Sequence, residues 1–125
     1  MTAPREWVIV LPWSSPPLSL NDRTHWRVKA KTTADIRGTV ATMCRHTIAP
    51  LPACDVVLTY NPRDRRRRDA DNLVGLLKVA CDAIVDAGVV TDDTPDLMVK
   101  HMPVIGPVVK GGRLTLTVTE VGGAG

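Results

Sequence analysis

Phenylalanine is absent from this chain, and its aromatic residues are confined to Trp7, Trp13, Trp26 and Tyr60. A surface that holds single strands by stacking bases on aromatic rings needs more than that. Cysteine is also sparse: Cys44, Cys54 and Cys81 are odd in number, scattered and without a C-x-x-C pair. They supply neither a complete disulfide framework nor a zinc spacing, so the expectation is a reducing, cytoplasmic setting with the thiols as small core residues. His25, His46 and His101 match no metal spacing. No apolar run approaches the ~18 residues of a membrane span, and the short apolar stretch behind Arg5 and Glu6 is too brief for the core of a signal peptide. The G-x-x-x-x-G-K-[ST] phosphate loop is missing, so no nucleotide cofactor is expected. Ser14, Ser15 and Ser19 lack a G-x-S-x-G setting.

Glutamate is the last scarcity, represented only by Glu6 and Glu120, so aspartate carries almost all the negative charge. On the positive side arginine outnumbers lysine, and the net charge is +3. Arginine suits planar recognition of phosphate, and short, stiff aspartate suits fixed oxygen ligation of a hard cation. The chain has 125 residues, 44% of them apolar. That is one domain with a real core, spanning 1–125 with a frayed tail at 122–125.

Periodicity divides the chain into alternating elements. Residues 6–12 read as a β-branched strand stopped by Pro12, and 13–25 as a loop holding Pro16, Pro17 and Asn21. A helical pattern runs from Trp26 to Ile48, weakly interrupted by Gly38, with Val28, Ile36, Val40, Met43 and Ile48 toward one face. Residues 54–60 form a second strand and 61–68 a basic loop. Leu73, Leu76, Leu77, Ala80, Cys81 and Ile84 then make one stripe of a helix that stops at Gly88. Its opposite face collects Asp71, Gly75, Lys78, Asp82 and Asp86. Residues 97–104 and 113–121 are two further strands, read as an antiparallel hairpin around a long Gly/Pro loop. The β-α-β-α-β-β order predicts a two-layer α+β fold, a mixed sheet of about four strands packed with two helices.

The chemistry concentrates at residues 63–72, where Arg65, Arg66, Arg67 and Arg68 run directly into Asp69-Ala70-Asp71-Asn72. In extended geometry Asp69 and Asp71 point the same way, and two such carboxylates repel unless a proton or cation lies between them. Mg²⁺ takes oxygen ligands and keeps positions for substrate. Arginines beside an acid pair therefore suit a phosphodiester that is attracted and then held against a metal. The plainer alternative is that an aspartate caps the helix while the arginines form a solvated loop paired to the acids. Asp92 and Asp93 follow the same helix and can return toward the first pair, although acidic pairs are also ordinary turn residues. Lys78 can lean toward the helix start and meet a phosphate, or pair with Asp82 at i+4.

Taken together, Arg65 to Leu73, the helix lysine, Asp92-Asp93, Met102-Pro103-Val104 and Lys110-Gly111-Gly112-Arg113-Leu114 resemble the RusA family of Holliday junction resolvases. The likeness runs from about Trp7 to Glu120, and Pro16-Pro17-Leu18-Ser19-Leu20-Asn21 looks like the family's proline-serine-asparagine loop. The resemblance implies a bacterial or phage endonuclease, a homodimer that nicks four-way junction DNA symmetrically with Mg²⁺ or Mn²⁺. It implies Asp69, Asp71 and Asp93 as the metal-holding catalytic acids, Lys78 as the catalytic lysine, and Arg65, Arg66, Arg67 and Arg68 as DNA contacts. The chain departs from the family's short form in one respect. The lysine stands seven residues after the second aspartate rather than four, as if three residues were inserted within 74–77, which moves it about 4.5 Å along a helix. Two other readings compete: a non-catalytic basic DNA-binding module, and a nuclease preferring forks or flaps.

Overall fold

A computed structural model describes residues 4–17 and 26–121. The elements are β1 (Glu6–Val10), α1 (Trp26–Thr47), β2 (Cys54–Asn61), a 3₁₀ turn (Ala70–Leu73), α2 (Val74–Asp86), β3 (Met98–Lys100), β4 (Val104–Ile105) and β5 (Arg113–Glu120). Two helices and a mixed five-stranded sheet make the expected α+β fold. The third expected strand is split in two, because Pro103 between β3 and β4 has no N–H to give to a ladder. No helix among the described residues is long and apolar enough to cross a membrane.

The expected hairpin between 97–104 and 113–121 does not form. The sheet order is β1-β5-β2-β3, with β4 also on β2. β5 pairs antiparallel with both β1 and β2, while β3 and β4 lie parallel to β2 on its other edge. Burial explains the choice. Leu114, Leu116 and Val118 alternate perfectly and are fully buried, as are Cys54, Val56 and Leu58 of β2. Strands so patterned gain most by pairing on both edges, so β5 takes the centre and β2–α2–β3 becomes a parallel crossover. The chain reaches β5 by passing the end of β2, where the Val109 N–H donates to the Pro62 carbonyl at 3.0 Å. Gly111 and Gly112 turn it at φ +81 and +79. A Cβ on Gly112 would collide with the Ser14 carbonyl, so this glycine lets the 13–17 loop close over the end of the sheet.

The helices cover one face of the sheet. The α2 stripe is buried as its spacing predicts, and Val79 and Ala83 are buried with it. On α1 the core face is Ile36, Val40, Ala41, Cys44 and the following Ile48. Val28, expected with them, is 53% exposed. At roughly 100° per residue it lies about 80° round the helix from Ile36. Arg37 joins the helices by a bidentate contact to Asp86, one arm 2.9 Å long, and lies 3.9 Å from Asp82. Burial pushes the thiols of Cys44 and Cys54 up to about 11 and that of Cys81 up to about 12, so all three are inert core residues.

Gly38 sits inside α1 on its exposed side, and a Cβ there would meet nothing within 4 Å. Gly38→Ala therefore removes unfolded-state freedom without a clash and is expected to stabilise the fold by roughly 0.5–1 kcal/mol. Thermal unfolding should register a midpoint higher by a few degrees. An unchanged or lowered midpoint would show that the helix needs its glycine.

Candidate active site

β2 ends at Asn61 beside the buried Pro62, and the chain then turns through the basic loop into α2. Asp64 organises this turn. Its carboxylate accepts the Arg66 backbone N–H at 3.1 Å and faces the Arg68 guanidinium at 2.8 Å. Arg68 Nη1 also donates to the carbonyls of Asp64 (2.9 Å) and Arg66 (2.8 Å), and its guanidinium lies over the Tyr60 ring at 5.7 Å. The Arg68 hydrogen bond, followed by the Arg66 N–H, holds the Asp64 carboxyl below the usual carboxylate range. Arg68 is thus turned inward, with its side chain 20% exposed, whereas Arg65, Arg66 and Arg67 are exposed. The run that sequence treats as one basic patch divides into three outward cations and one clamp.

Asp69 follows in extended conformation and caps the 3₁₀ turn, its Oδ1 accepting the Asp71 backbone N–H at 3.1 Å. The capping role foreseen as the plainer alternative is therefore present. Asp71 is already within the turn, so the two-residue alternation of a strand does not carry across the pair. Both aspartates are exposed. Asp69 and Asn72 line a cavity of about 260 Å³ with Tyr60, Arg67, Arg68 and Pro16. The rest of the proline-serine-asparagine loop, 18–21 with Ser19 and Asn21, lies outside the described residues, as does His25.

Lys78 is exposed on the polar face of α2, roughly 10–12 Å along the axis from Asp71. Among the described residues it forms no ion pair with Asp82. Instead it lines a groove of about 530 Å³ between α2 and the β3–β4 segment, together with Lys100 and His101. Asp93 accepts a hydrogen bond from Lys100 Nζ at 2.9 Å, and that contact holds its carboxyl below the usual range. The Asp92 carboxylate accepts the Asp93 backbone N–H at 2.8 Å. His101, just past the end of β3, has its Nε2 3.6 Å from Asp55 Oδ2. Sequence reasoning passes over Lys100. The signal was the alternation on β3: Met98 and Lys100 stand in register with the inward Cys54 and Val56, so Lys100 faces the helix layer.

Asp69, Asp71 and Asp93 do not come together as one metal cage. Among the described residues no group of three His, Cys, Asp or Glu side chains is placed to hold a metal ion. Mg²⁺, however, is commonly bound through one or two carboxylates, the remaining positions going to water and substrate phosphate. Asp69 and Asp71, both exposed, can supply such carboxylates, and Asp93 has Lys100 on one of its two carboxylate oxygens.

No protein-family profile matches the chain. Individual relatives do. Crossover junction endodeoxyribonuclease RusA of Escherichia coli K12 is 37% identical over 120 residues, covering 91% of this chain and 94% of that protein. The protein of the same name from Enterobacteria phage 82 is 36% identical over the same shares of both chains. That from Shigella sonnei reaches 52% identity over 59 residues, 47% of this chain and 45% of the relative. With identity at that level along nearly its whole length, this chain belongs to the RusA family.

Proposed function

We propose that this protein is an endodeoxyribonuclease that resolves Holliday junctions by hydrolysing DNA phosphodiesters in paired, symmetric nicks. The observation that carries the reading is the exposed Asp69–Asp71 pair at the foot of α2, directly behind three outward arginines, in a chain of the RusA family. Arg65, Arg66 and Arg67 draw in the backbone and hold phosphates, while Arg68 keeps the loop in shape. Asp69 and Asp71 would hold one Mg²⁺ or Mn²⁺. When bound, that cation supplies Lewis acidity to a phosphate oxygen and lowers the pKa of an attacking water. Asp93 would join them through the carboxylate oxygen that its contact with Lys100 leaves open. Lys78 places an ammonium near the scissile phosphate, where charge builds up in the transition state. Two nicks on symmetry-related strands are most simply delivered by two identical sites about a two-fold axis, so the working form is a homodimer.

The direct test is a nicking assay on a synthetic mobile four-way junction with Mg²⁺ and with EDTA, beside a fork and a linear duplex. Paired nicks that need metal and favour the junction support the proposal. Preferential cutting of the fork would assign a different nuclease preference, and binding without cutting would leave a DNA-binding module.

Asp71→Asn is expected to lower nicking by about 10²-fold or more while junction binding holds or tightens, because one negative charge near phosphate is lost. A folded variant that fails to bind would show that the aspartate only shapes the helix start. Replacing Arg66 and Arg67 together by Gln should weaken binding to every DNA shape and flatten the salt dependence by about 0.9 per lost phosphate contact. Arg68→Gln should instead act mainly on stability, read by thermal unfolding, with a smaller effect on the salt slope. Equal slopes for the two variants would refute this division of the loop. For Lys78→Ala the expected single-turnover rate is lower by roughly 10²-fold. Normal cutting would mean that the apparent insertion has carried this lysine out of the site.

A further inference from the structure

Asp93 is assigned from sequence as a catalytic acid, but its pairing with Lys100 is not, and that pair lies beside the helix lysine rather than elsewhere on the surface. Lys78 borders the groove from α2 and Lys100 from β3, so two lysine side chains on different elements line one depression of about 530 Å³. Its rim carries Val74 and Met102, which are 42% and 53% exposed. Cations flanked by apolar side chains suit a sugar-phosphate backbone, whose phosphate takes the charge while the deoxyribose lies against the apolar surface. Lysine is a flexible point charge, and a partner that fixes its direction lowers the entropy lost on binding. Asp93 supplies that anchor at 2.9 Å. An ammonium has three donors, so the contact with Asp93 leaves others for a ligand oxygen. The pair is also accessible, with side chains 35% and 39% exposed.

We propose that the groove between α2 and β3 extends the DNA-phosphate surface beyond the scissile phosphate, with Lys100 contacting the backbone beside Lys78 and Asp93 as the positioning residue that aims Lys100. The inference rests on the reading of this protein as a junction-binding nuclease. It gives Asp93 a duty in the metal-free protein that does not depend on its becoming a metal ligand.

The test is junction binding in EDTA across a salt series, so that neither metal nor cutting enters the readout. Lys100→Met keeps the length of the side chain and removes its charge. It is expected to lower affinity roughly three- to tenfold and to reduce the salt slope by about 0.9, whereas Lys100→Arg should keep the slope near that of the parent. Asp93→Asn separates anchor from bystander by sign. It deletes a negative charge beside DNA, which on charge alone should tighten binding; as the anchor of Lys100 its loss should weaken binding, and Lys100→Met should then cost less in the Asp93→Asn background than in the parent. Unchanged affinity and slope in Lys100→Met would overturn the site. Tighter binding by Asp93→Asn, or full additivity of the two changes, would overturn the anchor. A parent chain that binds no DNA overturns the functional reading as well, while a parent that nicks junctions with Lys100→Met indistinguishable from it overturns this inference alone.

Discussion

Adjacent guanidinium groups repel, and the joint between β2 and α2 carries several of them within a few residues of two carboxylates. The contact between Asp64 and Arg68 cross-links that joint. One arginine is turned inward over Tyr60, where it satisfies two backbone carbonyls as well as the Asp64 carboxylate. The loop thereby closes on itself instead of opening under its own charge, and its remaining arginines are driven outward. The consequence reaches Asp69 directly, since the residue after the clamp must leave the loop extended to cap the next turn. A change at Asp64 would therefore be felt at the carboxylate pair although Asp64 is not part of it.

Topology decides which elements meet at this joint. Because β5 is buried along its whole inward face, it takes the place between β1 and β2, and the β3–β4 segment is left on the far edge of β2 in parallel. Parallel strands end on the same side. The end of β2 with its basic loop, the start of α2 and Ile105 of β4 accordingly meet around one cavity, and Lys100 at the end of β3 faces α2. In open sheets of this kind the carboxyl ends of parallel strands are where ligands are met, since loops there can carry chemistry without disturbing the ladder. A hairpin between 97–104 and 113–121 would have removed Lys100 from the face of α2 altogether.

What could be read from the chain depended on the range of the interaction. The α2 stripe, the alternation of β5 and the basic loop before Asp69 are local patterns, and each appears where its spacing puts it. Most of the failures are non-local. Strand partners depend on competition among edges, which two short strands near a Gly/Pro loop cannot reveal. Val28 continued an apolar series in the sequence but drifted off the core face of a long helix. The four arginines look equivalent until Tyr60 and Asp64, brought in by folding, single out Arg68. The surroundings of Lys100 are hidden for the same reason, since its partner Asp93 belongs to a different turn and its neighbour Lys78 to a helix.

The distribution of charge follows one electrostatic rule. Cations that fold the protein are paired: Arg5 with Glu120, Arg37 with Asp86, Arg68 with Asp64. Around the candidate site the pairing is looser. Arg65 and Arg67 extend into solvent, and Arg66 leans only partly on Asp64 at 3.5 Å. A polyanion gains most where cations need not be stripped from strong partners, because each pair broken on binding subtracts from the attraction. With a net charge of only +3, attraction to DNA has to come from where positive charge is placed rather than from its total. In the proposed function the outward arginines of the loop before Asp69 would bring the phosphate backbone to the acidic pair, where carboxylates alone would repel it.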